Sequence, residues 1–193
     1  MKTNKTILLA GVGGQGLILA SNVIATVIMK SGYNIKKSEV HGMSQRGGPV
    51  FSFIRYGEAV YSPVILKGEV DVFISLELME TLRWIEYANK DTSIIYSSEK
   101  IGPTAVLINE KKYPDNLEKD IQSLVSNSNE VDVSKIKNKI KSKKYLNTVI
   151  LGVVSNKMEF DKQVWLDSIK ELVPGKTIDD NIAAFELGRG ISV

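Results

Sequence analysis

Cysteine is absent from all 193 residues. That excludes disulfides, thiolate zinc sites and cysteine-held iron–sulfur clusters in this chain. Histidine occurs once, at His41, so there is no second imidazole for metal or nucleophilic chemistry. An excess of one charge is also missing. Lys and Arg number 25 against 22 Asp and Glu, a net charge of +3, and neither half of the chain forms a basic arm. Nucleic acid is therefore not an expected partner. Long hydrophobic runs are lacking too. The apolar stretch from Leu17 to Met29 is too short to span a bilayer, and Asn22 and Thr26 interrupt it. With Lys30 these two fall at i, i+4 and i+8, one polar stripe along a helix. A signal peptide is not expected, because a glycine turn sits where its hydrophobic region would run. The expectation is a cytoplasmic protein with no membrane partner.

What is present is globular. Hydrophobic residues make up 43% and charged residues 24%, enough for one α/β domain over residues 1–193 with a substantial core. The order reads β-α-β. Thr6–Ala10 is a short apolar strand of the kind buried on both faces. Gly11–Gly16 is a turn, Leu17–Ser31 a helix, and Gly32 its C′ residue. Tyr33–Val40 and Val50–Tyr56 follow as strands, with Gly57-Glu58 as a hairpin turn into Ala59–Tyr61. Val70–Leu76 is a buried strand, Glu77–Asn89 has helical spacing, and Ser93–Tyr96 is a further strand. Residues 110–147 are rich in Lys, Asn, Ser and Asp; Val133, Ile136 and Ile140 share one helical face there, which reads as a solvated amphipathic helix or a phosphate-binding segment. Asn147–Val154 reads as a helix or buried segment. Phe160–Val173 is an amphipathic helix stopped by Pro174-Gly175, and Asn181–Gly188 a last helix. The predicted fold is α/β: a Rossmann-like, doubly wound, mainly parallel sheet with a β-hairpin insertion.

Two motifs carry chemistry. Gly11-Val12-Gly13-Gly14-Gln15-Gly16 matches the G-x-G-x-x-G fingerprint in its strand-turn-helix context. Such glycines allow a tight turn and close approach of a phosphate to a helix N-terminus. The fingerprint also asks for an acid about twenty residues on, for a ribose hydroxyl. Ile35-Lys36-Lys37-Ser38 stands there and Glu39 is the first acid, so NAD is poorly supported. A structural turn and a phosphate-bearing ligand other than NAD both remain open, and Lys36 and Lys37 suit either an extra phosphate or plain solvation.

The second motif is Glu39-Val40-His41-Gly42-Met43-Ser44-Gln45-Arg46-Gly47-Gly48-Pro49. Core segments have no use for such a mixture. Gly47 and Gly48 permit close backbone approach, and Arg46 offers a planar five-donor fork for carboxylate or phosphate. His41 suits a structural hydrogen bond or contact with a ligand or partner. Ser44 has no neighbour that completes a catalytic triad.

Together, Gly11–Gly16 and Ser38–Gly48 resemble the gamma-type subunit or domain of 2-oxoacid:ferredoxin oxidoreductases. The resemblance extends to Asp71–Glu77 and Leu82-Arg83, more loosely to Asn147–Gly152 and Asn181–Gly188, and skips the Lys-rich middle. A stand-alone chain of this size is most similar to the beta subunit of the indolepyruvate type. Gamma subunits of the pyruvate, 2-oxoglutarate and 2-oxoisovalerate types are close alternatives, and a free-standing nucleotide-binding oxidoreductase is a more distant one. The resemblance implies an accessory subunit of an enzyme that decarboxylates a 2-oxoacid on thiamine diphosphate, passes electrons through iron–sulfur clusters to ferredoxin and hands the acyl group to coenzyme A. Thiamine diphosphate and the clusters would sit on a large catalytic partner subunit, and this chain would hold no cofactor alone. Docking to that partner and contact with coenzyme A would fall to Gly11, Gly13, Gly14, Gln15 and Gly16 and to His41, Gly42, Met43, Ser44, Gln45, Arg46, Gly47 and Gly48. No residue of this chain is expected to be catalytic or to bind metal.

Overall fold

The computed structural model describes residues 4–41, 48–101 and 113–192, with His41 described at its backbone only. β1 (Lys5–Val12) is the centre of the fold. Its side chains alternate between two layers: Ile7 and Leu9 enter one apolar cluster, Leu8 and Ala10 the other. All four are fully buried, which suits a strand covered on both faces. Each large side chain so buried contributes about 1.5–3 kcal/mol relative to exposure.

α1 (Leu17–Lys30) follows the glycine turn and packs on the Ile7/Leu9 face through Val23, Ile24, Val27 and Ile28. Gly32, at φ +85°, closes it, as a C′ glycine does. β2 (Asn34–His41) and β3 (Pro49–Gly57) come next. Then follow β4 (Val70–Ser75), α2 (Leu78–Trp84) and β5 (Ala88–Ser97). α3 (Leu117–Leu124), β6 (Ser128–Val131) and the one-turn α4 (Val133–Ile136) occupy the Lys-rich middle. α5 (Leu146–Ser155), α6 (Lys162–Leu172) and α7 (Ile178–Arg189) end the chain.

The six-stranded sheet has the order β2-β3-β1-β4-β5-β6. β1, β4, β5 and β6 pair in parallel, and β3 is antiparallel to both β1 and β2. β2 thus points the same way as β1, and β3 alone is reversed. α1 and α5–α7 cover one face; α2 and α3 cover the other. The α/β, mainly parallel, doubly wound expectation is met. The antiparallel pair of consecutive strands, however, is β2–β3, with residues 42–48 between them. Gly57 ends β3, and residues 58–69 contain no strand. Gly57-Glu58 is therefore not the predicted hairpin turn, because β3 already has a partner on each side.

The middle also differs from its sequence reading. Ile136 is buried and Val133 and Ile140 pack on the same cluster, but the helix there runs only from Val133 to Ile136. α5 is the reverse case. All ten of its residues are buried, as in a helix with no solvated face. Gly152 of α5 and Gly188 of α7 make the crossing close: a Cβ on either would overlap a backbone carbonyl of the facing helix, that of Phe185 or Val149.

Candidate functional site

The carboxyl ends of β1, β2 and β4 gather at one edge of the sheet, together with the start of β3. The Gly11–Gly16 turn lies there. Gly14 and Gly16 have φ of +102° and +76°, values that favour glycine strongly. The turn is tied on several sides. Val12 N–H donates to the Gln15 Oε1 at 2.8 Å, and Gln15 Nε2 donates to the Leu76 carbonyl at 2.6 Å and to Glu99 Oε2 at 3.1 Å. Asn147 Nδ2 donates to the Gly16 carbonyl at 3.1 Å. Gly13 N–H donates to the Gly48 carbonyl at 2.9 Å.

A cleft of about 290 Å³ opens beside the turn, between Gly13, Gly14 and Gln15 on one wall and Lys143, Lys144 and Asn147 on the other, with Leu76, Glu99 and Ile101 beneath. α1 and α5 both begin here, and no side chain caps either at Gly16 or Tyr145. The positive dipole ends of both lie in this region, although at α5 Leu146 N–H already donates to the Lys143 carbonyl and Thr148 N–H to Asn147 Oδ1 at 2.8 Å. Lys143 stands 3.9 Å from Glu99 and is largely exposed, with Lys144 beside it. Two ammonium groups, two helix N-termini and one carboxylate make a site suited to an anion. A larger hollow of about 470 Å³ lies at the opposite edge, by Tyr33, Tyr56 and Phe160. There Asp71 is already paired with Lys5 at 3.0 Å and with the Thr6 hydroxyl at 2.8 Å, and the remaining charges, Asp91, Lys157 and Glu159, are of mixed sign.

Of the sequence-derived site residues, Gly11, Gly13, Gly14, Gln15, Gly16 and Gly48 come together at this edge. His41 ends β2 opposite Val50 in register, which puts its backbone at the same edge. Gly42, Met43, Ser44, Gln45, Arg46 and Gly47 lie outside the described residues.

The dinucleotide reading loses its remaining support. A dinucleotide fold has its second parallel strand next to the first. Here β3 fills that place, and β2 is one strand further out, roughly 10 Å from β1 at normal strand spacing. Glu39, the first acid, accepts from Ser21 Oγ at 2.8 Å and pairs with Lys37 Nζ at 2.6 Å. Lys37 also donates to Asn22 Oδ1. Lys37 is thus committed to α1 rather than offered to an extra phosphate.

Sequence reasoning missed Glu77, Glu99, Lys143, Lys144 and Asn147 as members of this edge. Asn147 and Glu77 did lie in stretches of the resemblance. The lysines sat in a run that reads as solvated. Among the described residues no group of three or more His, Cys, Asp or Glu could hold a metal ion. No helix among them is long and apolar enough to cross a membrane.

Residues 6–191 match the family model described as pyruvate ferredoxin/flavodoxin oxidoreductase. An indolepyruvate oxidoreductase subunit IorB from Thermococcus kodakarensis is 35% identical over 189 residues, covering 94% of this chain and 93% of that protein. The gamma subunit of a keto/oxoacid ferredoxin oxidoreductase from Geobacter sulfurreducens shares the fold at TM-score 0.67 and 20% identity, over 95% of each chain. A 2-oxoglutarate:ferredoxin oxidoreductase from Magnetococcus marinus, solved with 2-oxoglutarate, coenzyme A and succinyl-CoA bound, shares it at TM-score 0.73 and 18% identity, over 98% of this chain but 31% of that one. With its glycine turn and a match along nearly its whole length, the chain belongs to the 2-oxoacid:ferredoxin oxidoreductase family, as an accessory subunit of the beta or gamma type.

Proposed function

We propose that this chain serves an oxidoreductase of the indolepyruvate or arylpyruvate type, in which a 2-oxoacid is oxidatively decarboxylated, coenzyme A takes the acyl group and ferredoxin takes the electrons. The 35% identity to an indolepyruvate oxidoreductase subunit supports the substrate class. The cleft at the glycine turn supports the coenzyme A contact, because coenzyme A carries phosphates and the cleft offers Lys143, Lys144 and two helix N-termini. Gly14 and Gly16 let the backbone come close to a phosphate, and the Gln15 carboxamide holds the turn in that shape. His41 to Gly48 complete the site or meet the partner.

Iron–sulfur clusters do not fit this chain, which has no cysteine. With thiamine diphosphate they belong on a large catalytic subunit, where they supply the carbanion chemistry and the electron path. The chain's own part is to bind, orient and dock, and it works in the cytoplasm. Since the family model carries the pyruvate name, a gamma subunit of the pyruvate type is the second reading.

The deciding experiment mixes the purified chain with its co-purifying catalytic subunit and follows viologen reduction with indolepyruvate, pyruvate, 2-oxoglutarate or 2-oxoisovalerate and coenzyme A. Turnover should need both subunits and should be fastest with indolepyruvate. Turnover by this chain alone overturns the accessory role. A faster reaction with pyruvate moves the substrate class, and tight binding of NAD(P) or flavin by the chain favours a free-standing oxidoreductase.

A further inference from the structure

Glu77 is a buried carboxylate, 1% exposed, one residue past the strand-end carbonyl that holds Gln15. It makes no contact with the cleft. Three donors converge on it: Glu80 N–H at 2.9 Å and, on the other oxygen, Ile101 N–H at 3.0 Å and the Tyr113 hydroxyl at 2.6 Å. Tyr113 in turn accepts from Met79 N–H at 3.1 Å. Capping α2 requires only the first of these bonds. The bond to Ile101 does something else. It acts with Leu78 N–H, which donates to the Glu99 carbonyl at 3.0 Å, to pin residues 99–101 against the end of β4. The Glu99 side chain on that strap is the one that accepts from Gln15 Nε2 and stands near Lys143.

We propose that Glu77 is the positioning residue of the glycine-turn cleft: it fixes the Glu99–Ile101 wall and, through Glu99 and Gln15, the shape of the turn that receives the anion. A carboxylate is required because donors reach both of its oxygens. An amide would offer one oxygen and turn an NH2 group toward an N–H or O–H donor. The ligand assignment rests on the coenzyme A reading above; the positioning role does not.

Hydrogen exchange on the full-length chain, wild type and Glu77→Gln, tests the role without any ligand. Amides of residues 11–16 and 99–101 should exchange at least tenfold faster in the variant, while residues 162–172 keep wild-type protection. Faster exchange confined to α2 overturns the proposal, because Glu77 is then a helix cap only. Should Glu77→Gln fail to fold, Tyr113→Phe, which leaves the two N–H donors in place, should give a smaller acceleration at the same two segments. No acceleration there overturns the proposal equally.

In the reconstituted complex, Glu77→Gln should raise KM for coenzyme A about tenfold with kcat within twofold. Glu77→Gln/Glu99→Gln should be no worse than the worse single variant. Additive losses would mean that Glu77 acts by a route that bypasses Glu99, against the proposal. A wild-type complex without coenzyme A-dependent turnover would sink the functional reading alone, and the exchange result would still judge Glu77.

Discussion

Gly13 donates its backbone N–H to the carbonyl of Gly48 at 2.9 Å, which joins the glycine turn after β1 to the residue that leads into β3. The described ends of the two motifs that stood out in the sequence, Gly11–Gly16 and Gly48-Pro49, therefore meet at one edge. The register carries the same information. Gly11 pairs with Val50 and Val12 with Pro49, so the antiparallel β3 starts beside the turn.

Glycine substitutions in the turn should separate backbone strain from crowding. Gly14 and Gly16 both have positive φ, but a Cβ on Gly14 meets open space, whereas one on Gly16 comes 2.5 Å from Asn147 Nδ2. Gly14→Ala should cost about 1–2 kcal/mol, the penalty of left-handed backbone for an L-residue. Gly16→Ala should cost more and should also displace Asn147. Urea unfolding of both variants measures this, and equal losses would mean that the Asn147 contact yields freely.

The α5–α7 crossing should be less forgiving still. Gly152→Ala and Gly188→Ala each place a methyl group against a backbone carbonyl of the facing helix, and backbone cannot swing aside as a flexible side chain does. Each should lose at least the upper part of the ~1–3 kcal/mol typical of overpacking, with reduced soluble yield. Neither residue lies at the cleft. A complex that assembles despite the change should therefore retain its KM for coenzyme A.

Charge at the cleft is separable from stability. Lys143 and Lys144 are exposed, and the 3.9 Å pair between Lys143 and Glu99 is of the surface kind that contributes little. Lys143→Ala/Lys144→Ala should leave the thermal midpoint within about 2 °C, as surface changes do. It should weaken coenzyme A binding at least tenfold at low salt and by less at high salt, where screening already weakens the wild type. Calorimetry at two salt concentrations reads this. Unchanged affinity would take the phosphates away from these lysines.

Alkaline titration should reveal the buried phenols. Burial pushes Tyr56 and Tyr96 up to about 12, with Asp71 and Glu130 adding repulsion respectively. Tyr113 is raised as well, by burial and by its bond to Glu77. An unfolded chain ionises these phenols near 10. The unfolded state thus releases protons first, and stability should fall as pH rises from about 10 toward 12. Absorbance of phenolate should show a normal group of tyrosines titrating before a delayed one, and the delayed group should appear together with loss of far-UV circular dichroism. A single transition near 10 with the fold intact would contradict the burial.

Much of this protein is decided locally. The run Ile7-Leu8-Leu9-Ala10, cut off by the glycine turn that follows, reads as a doubly covered strand, because four apolar residues in succession leave no face for water and the run is too short for a helix. The glycines at 11, 13, 14 and 16 specify a turn into a helix, and the spacing of α6 and the existence of α7, though not its start at Ile178, are readable from their own residues. The absence of cysteine by itself assigns any iron–sulfur chemistry elsewhere. Tertiary structure alone decided which strands are neighbours. Nothing in Val50–Tyr56 says that it runs antiparallel between β1 and β2, since strand direction depends on where the loop returns the chain. β6 is four residues long and polar, and only pairing with β5 makes it a strand. Lys37 and Glu39 look alike available in sequence, yet α1 holds both. Glu77, Glu99 and Asn147 acquire their roles because the ends of β4, β5 and α5 meet at the glycine turn, and hydrogen bonds between segments so far apart leave no periodic trace in the chain that makes them.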